Sequence, residues 1–461
     1  MRRLALTAIA ALWVAVAQGP AMAQDLTPGQ MRALGFDLLS AGETGRAMVV
    51  ADALLARDPQ DAVALILRAR ILRDMGRDAE ARKAARVAWA AAETPSDRFG
   101  AALTRAQVLS SSGNRTAAQL WLRKAMDAAP TPAARSVAMR DFRYVRGRNP
   151  LRLSFSLGVA PSSNVNNGSR HDEIAGFGMF GALSPDAQAL SGWTGQASVG
   201  ARFRLAESER RSTWLRLSAT RREVRLSSES TAKLDKWVAD QAALGVTANP
   251  RRNFDFGAVE LGLNQTLGFQ KGMVQLGATL GRNWFGGDLL SDYLKLDMAG
   301  ERGLSPRRAL YGEMSLERQW RHDSAFRDAD LITVEGGMVQ ALASGDRLRI
   351  GFGARRAHSF SPEVRHGAVL ARLGWEKAQP VAGVRIETSL GIERRDYDAS
   401  LLAPSGRRDL RLDAGVSLTF ETLDYMGFAP TLDLRASRFR SNVKLYDGRD
   451  VGLSLGFRSV F

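Results

Sequence analysis

The sequence predicts two domains of different class: an α-solenoid, then a transmembrane antiparallel β-barrel of about fourteen strands. Three observations predict it. The apolar pattern is helical to about residue 145 and alternates from residue 151 onward. The alternating segments oppose an apolar face to one that mixes glycine with charges of both signs. The chain also ends in such a segment, GLSLGFRSVF, where Leu453, Leu455, Phe457 and Phe461 share a face that no later residue can bury.

Composition narrows the class further. The 461 residues carry a formal charge of +16, almost all of the excess being arginine, which suggests an anionic partner. The chain has no cysteine. That excludes disulfides, thiolate metal sites, cysteine nucleophiles and a lipid-modified N-terminal cysteine. The opening MRRLALTAIAALWVAVAQGPAMAQ has two arginines, an apolar run over residues 4–16, and Ala21-Met22-Ala23 before Gln24. This reads as a secretory signal over residues 1–23, cleaved before Gln24. The run falls short of the roughly 20 apolar residues that a spanning helix needs. Export from the cytoplasm removes nucleic acid as the expected anionic partner.

Residues 24–146 follow as a helical domain. Three segments align, beginning at Gly42, Gly76 and Gly113. In each the glycine is followed five residues later by alanine (Ala47, Ala81, Ala118), and each ends in proline (Pro59, Pro95, Pro130). Glycine permits the turn between paired helices, and alanine allows the helices to approach closely. Proline cannot continue the helix it follows. The period of about 34 to 37 residues is that of helix–turn–helix solenoids. The pattern resembles the tetratricopeptide repeat (TPR) in about three degenerate copies over residues 30–130, although an unrelated α-hairpin bundle would share the period. The concave face of such a solenoid commonly binds a peptide or partner protein.

Residues 150–461 form the predicted barrel. Strands are expected near 151–160, 191–206, 211–226, 254–267, 272–286, 292–303, 309–321, 329–341, 347–358, 366–376, 383–397, 409–421, 428–440 and 449–461. Short turns such as ESER (207–210), FQKG (269–272) and ASGD (343–346) interleave with longer connections, the longest at 161–190 and 227–253. An even strand number, with short turns at one end and long loops at the other, is the outer-membrane pattern. A soluble sandwich would instead bury its apolar faces against each other. The last strand then closes on the first with its apolar face in lipid. Ser454, Gly456 and Phe461 resemble the terminal signal read by the outer-membrane barrel assembly machinery, with Ser459 where that signal usually has a hydrophobic residue.

Several motifs look catalytic without the context that catalysis needs. Gly452-Leu-Ser454-Leu-Gly456 fits G-x-S-x-G, but lies inside an alternating strand, where no strand-to-helix turn can follow. The histidines His171, His322, His358 and His366 fall in or near predicted outer loops, two of them beside aspartate (Asp172, Asp323). Neighbours along a strand point opposite ways, so these make poor dyads. No metal-ligand spacing occurs, and neither an enzyme nor a cofactor is expected. Arg347, Arg349, Arg355, Arg372, Arg385, Arg411 and Arg435 fall on predicted lumen faces beside Glu313, Glu317, Glu387, Glu393, Asp413 and Asp433. They are expected to pair across strands, or alternatively to line an electropositive path. Arginines at the outer rim would suit lipopolysaccharide phosphates.

Two segments carry a closer resemblance. SSNVNNGS (162–169) follows the first strand, and residues 427–461 form the last hairpin. Together they are similar to the surface lipoprotein assembly modifier (Slam) family, through an "SN-hydrophobic-N" element at Ser163, Asn164 and Asn166. The match continues in Gly427 and Pro430 at the start of the final hairpin, Ser441 and Asn442 before its loop, Tyr446, and the terminal Phe461. Asn and Ser also form turns for backbone reasons alone, so these positions read equally as turn formers. The resemblance implies an outer-membrane protein of a Gram-negative bacterium that moves lipoproteins or related secreted proteins to the cell surface. Its periplasmic helical domain would engage the client or a chaperone, and its barrel would provide the passage. Polysaccharide-export and diffusion porins are the rival readings.

Overall fold

The computed structural model describes residues 26–176 and 179–459. The expected cleavage site (Ala21, Ala23, Gln24) and the terminal Phe461 lie outside them. The chain divides into two compact units, one ending at Ala134 and one beginning at Arg135. The division falls inside a helix, upstream of the change of period at residue 150.

The first unit contains α1 (Pro28–Ser40), α2 (Thr44–Arg57), α3 (Ala62–Asp74), α4 (Asp78–Ala91), α5 (Pro95–Ser111) and α6 (Arg115–Asp127), and α7 (Pro132–Arg148) runs from it into the second. Its glycine turns are one structure built three times. Gly42, Gly76 and Gly113 have φ of 81°, 73° and 83°, a left-handed conformation that costs glycine least. The next N–H in each case, from Glu43, Arg77 or Asn114, donates to the carbonyl of Leu38, Leu72 or Leu109 at 2.9, 2.8 and 2.8 Å. Each helix therefore ends in a Schellman closure that satisfies its last carbonyls. Ala47, Ala81 and Ala118 are fully buried. Ala47 packs with Ala51, Leu67 and Ile71, and Ala81 with Ala85, Ala69, Leu72 and Val108. Pro95 is the first residue of α5, behind the capping hydroxyl of Thr94. Pro59 and Pro130 lie in connections, and Asp61 and Pro132 open the helices that follow them.

The second unit is a closed antiparallel barrel of fourteen strands. In chain order the strands are β1 (Leu151–Ser162), a loop hairpin of β2 (Glu173–Gly176) and β3 (Met179–Ala182), β4 (Gly192–Glu207), β5 (Arg211–Leu226), β6 (Phe256–Phe269), β7 (Gly272–Phe285), β8 (Asp288–Ser305), β9 (Arg308–Arg321), β10 (Ala329–Ala341), β11 (Arg347–Ser359), β12 (His366–Glu376), β13 (Val384–Tyr397), β14 (Arg407–Phe420), β15 (Phe428–Ser441) and β16 (Gly448–Ser459). All but β2 and β3 belong to the barrel. Each expected strand is present, displaced by a few residues at its ends. The outward face is an exposed apolar band that includes Leu153, Phe155, Leu157 and Leu455. Such a band suits lipid, and the barrel is of the outer-membrane type.

Three features depart from the sequence reading. β7 and β8 meet at Gly286 and Gly287, on the side of the long loops. Their φ values of 62° and 96° make a two-residue hairpin turn where a loop at 287–291 was expected. The connection at 227–253 carries a helix, α8 (Ser228–Ala243), capped by Ser227. The connection at 161–190 carries the small hairpin β2–β3. The closing seam is also short. β1 and β16 pair only over residues 158–162 and 452–456, among the described residues, whereas the other barrel junctions pair along most of their strands.

Candidate functional site

The long connections fold into a packed layer at one barrel mouth, and the SSNVNNGS segment is built into it residue by residue. The Ser163 hydroxyl accepts from Val451 N–H at 3.3 Å, and Ser162 donates to Asp450 at 2.7 Å, so both reach across the seam to β16. Asn164 accepts from Gly168 N–H at 2.8 Å and donates to the Gly168 carbonyl at 2.9 Å, which closes the turn. Glycine is needed at 168 because a Cβ there would stand 2.2 Å from the Gln188 carbonyl oxygen. Val165 is buried with Leu190, Leu234 of α8 and Phe254. Asn166 donates to the carbonyls of Asp186 and Gln188 at 2.9 and 2.7 Å and accepts from Leu190 N–H at 2.9 Å. The carboxamides of Asn164 and Asn166 are thus engaged within the loop itself.

The last loop meets the first. Arg170 N–H donates to the Asp447 carbonyl at 2.8 Å, and Ser169 donates to the Lys444 carbonyl at 3.1 Å. Ser441 caps the loop through Val443 N–H at 3.1 Å. Asn442 accepts from Arg408 N–H at 2.7 Å and donates to the Gly406 carbonyl at 3.0 Å. At the other end of the hairpin Gly427 has φ 76° and donates to Asp424 at 3.1 Å, which also takes Arg135 at 2.9 Å. Pro430 lies opposite Phe457 on β16.

Tyr446 leads to a cluster that the sequence reading did not find. Its hydroxyl donates to Glu363 at 2.6 Å, and Arg407 donates to the same carboxylate oxygen at 2.6 Å. The other oxygen accepts from the Ser400 hydroxyl at 2.7 Å and Leu401 N–H at 2.6 Å. The Arg407 side chain is only 4% exposed, with its guanidinium 3.6 Å from the Tyr397 ring centre and 3.7 Å from that of Tyr446. Three outer loops are therefore tied to one arginine–glutamate pair. Burial and the bond to Glu363 push the Tyr446 hydroxyl up to about 12. Burial alone would raise Glu363, but the bonds from Tyr446, Ser400 and Leu401, with Arg407, hold it below the ordinary value. Glu363 lies outside any strand or motif and Arg407 just precedes the strand expected at 409–421, so only the three-dimensional packing reveals the pair.

His171 and His322 pair across strands or loops rather than with the aspartates beside them. His171 lies 3.3 Å from Asp447 and His322 lies 3.0 Å from Asp292. Ser454 sits in mid-strand opposite Asp433, and Gly456 faces Gly158 at the seam. Most of the candidate lumen charges have partners. Arg372 meets Glu335 at 2.7 Å, Arg385 meets Glu421 at 2.6 Å, Arg411 meets Asp413 at 2.8 Å, and Glu387 meets Arg458 at 2.7 Å. Arg347 lies 3.6 Å from Glu376, Arg355 lies 3.8 Å from Glu393, and Arg349 stacks 3.8 Å from the Tyr311 ring centre. Asp433 and Arg435 share their face of β15 and form no ion pair among the described residues.

Among solved structures, the chain is similar to OccAB3 of Acinetobacter baumannii at 8% identity, covering 67% of this chain and 98% of that one, with a TM-score of 0.37. It is also similar to the type III secretion translocator chaperone SycD of Yersinia enterocolitica at 19% identity, covering 26% and 93% of the two chains, with a TM-score of 0.24. A third likeness is to PcrH in complex with the chaperone binding region of PopD, at 21% identity, 28% and 98% coverage, and a TM-score of 0.23. No curated protein matches the chain. A family model described as surface lipoprotein assembly modifier matches residues 248–461, which hold β6 through β16 and the whole final hairpin. Over these residues, somewhat under half of its length, the chain is similar to the surface lipoprotein assembly modifier family.

Proposed function

We propose that this protein assists the display of lipoproteins, or related secreted proteins, on the outer surface of a Gram-negative cell. The helical domain stands in the periplasm and recruits the client or a chaperone that carries it. The barrel provides the passage, with its long loops outside. The family match over β6–β16 carries this reading. Two further features support it. The outer loops form a folded layer fixed to both strands of the seam, which suits a gate better than an open diffusion pore. The seam itself, paired over a few residues among those described, offers a place where the wall can part. The lumen charges largely neutralise one another, which argues against a continuous electropositive track for a polyanion. No nucleotide is at hand in the periplasm, so transport draws on folding of the client outside, or on its handover from another machine.

The test co-produces a candidate lipoprotein with this protein in a host lacking the family and measures its cleavage by external protease. Exposure only in the presence of this protein is the expected result. Unchanged exposure across several clients, with the barrel verifiably inserted, would overturn the proposal and favour the porin readings.

A further inference from the structure

The outward wall carries arginines between its apolar band and the long loops, and most are neutralised. Arg221 donates to Asp255 at 2.8 Å, Arg282 to Asp292 at 2.6 Å, Arg318 to Asp330 at 2.7 Å, and Arg394 to Asp396 at 3.1 Å. The last two strands carry three that are not neutralised. Arg438 and Arg440 on β15 and Arg449 on β16 are exposed and form no ion pair among the described residues. Arg438 and Arg449 are direct partners in the ladder, where two like charges repel. Strand alternation puts Arg440 on the same face, one step closer to the loops.

Beside these arginines the wall is indented by a groove of about 640 Å³. Its floor consists of two successive ladder rows. The row nearer the loops runs Phe352, Ala371, Ile392, Leu412 and ends in Arg438 and Arg449. In the next row Ala414 and Ala436 supply little bulk, so the wall recedes there. A smaller indentation of about 350 Å³ lies near Arg221, but that arginine already holds Asp255. The larger groove joins an apolar trough to uncompensated guanidinium groups.

We propose that this groove binds a phosphorylated, multiply acylated lipid of the outer leaflet, one acyl chain lying in the trough and a phosphate bridging Arg438 and Arg449. Guanidinium groups bind phosphate through paired, charge-assisted hydrogen bonds. An anion between them converts the repulsion of the opposed arginines into attraction, and Arg440 supplies a further donor. The proposal rests on the orientation given above, in which the long loops face outward.

The test uses the full chain purified in detergent and exchanged against bisphosphorylated lipid A, with bound lipid read by native mass spectrometry. The wild type is expected to retain the lipid, and Arg438→Gln/Arg449→Gln at least tenfold less. Arg318→Gln, on another wall, is expected to retain it fully. Ala436→Trp, which fills the trough and touches no charge, is expected to lose it too, and it keeps the test open should the charge variant fail to assemble. Equal retention by the wild type and either groove variant overturns the site. So does equal retention of a dephosphorylated lipid, or displacement of lipid A by inorganic phosphate alone. Client exposure is a separate readout: its failure with lipid retention intact counts against the translocation reading, not against this site.

Discussion

Arg407 shows how much one residue carries in this loop layer. It is held between two tyrosine rings and bonds Glu363, which in turn collects Ser400, Leu401 and Tyr446. Removing one partner of a buried ion pair leaves the other uncompensated and costs about 3–5 kcal/mol. Arg407→Ala is therefore expected to free the loops at 360–365 and 398–406 while the barrel stays folded, read as faster hydrogen exchange in those loops alone. The same carboxylate sets a pH dependence. Because Glu363 lies below its ordinary value of about 4.3, its contribution is full above that pH and is lost as pH falls through the lower folded value. Loop protection should fall on acidification in the wild type. In Glu363→Gln that response should flatten; an unchanged acid response in the variant would remove Glu363 as its source. Asn166 makes a second case, since Asn166→Ala leaves two carbonyls and one N–H without their bonds. Each group left unpaired costs about 1–3 kcal/mol, so limited proteolysis should cut first within residues 164–190. The Asn166 position could be picked out in the sequence because it sits in a short Asn- and Ser-rich segment directly after the first strand. Glu363 and Arg407 could not, because one lies in a loop and the other at the start of β14, 44 residues on, and they meet only through the fold.

At the scale of elements, local rules account for most of what the sequence revealed. Alternation found the strands because a one-residue shift would turn every apolar side chain into the lumen. Glycine spacing found the helix pairs because the first helix of each pair ends in the same left-handed closure. Two elements escaped for equally local reasons. Gly286-Gly287 is a tight-turn signal set among long loops, so connection length was a poor guide there. α8 buries Leu234 as its one large side chain, too thin an apolar stripe to stand out between strands. The repeat alanines give the sharpest prediction at this level. Ala118 is fully buried whereas Leu120 on the same helix is half exposed. Ala118→Leu should overpack the interface and destabilise the helical unit by about 1–3 kcal/mol, and Leu120→Ala should stay within about 0.5 kcal/mol. Thermal loss of helical circular dichroism in the full chain would compare them, and equal effects would count against close packing at Ala118.

For the whole molecule, the question is whether the barrel wall opens. A pore that conducts only through its lumen has no need of a weak junction, yet β1 and β16 pair over residues 158–162 and 452–456 alone among those described. The two loops that flank this junction are also the two segments of the family resemblance, and they are bonded to each other. Val159 and Leu455 are partners across it and share the outward face. Opposed residues in an antiparallel ladder lie about 4.5–5.5 Å apart at Cα, within disulfide reach. Because the chain has no cysteine of its own, Val159→Cys/Leu455→Cys introduces a single defined bridge. If clients pass by parting the seam, the oxidised variant should lose surface exposure of its client and regain it on reduction. Undiminished export with the bridge verifiably formed would confine passage to the lumen. Deleting residues 24–146 tests the helical domain separately: the barrel should still insert while client exposure falls. A locked seam and a missing helical domain would then fail at different steps, the first with the client bound to the protein and the second with no client recruited.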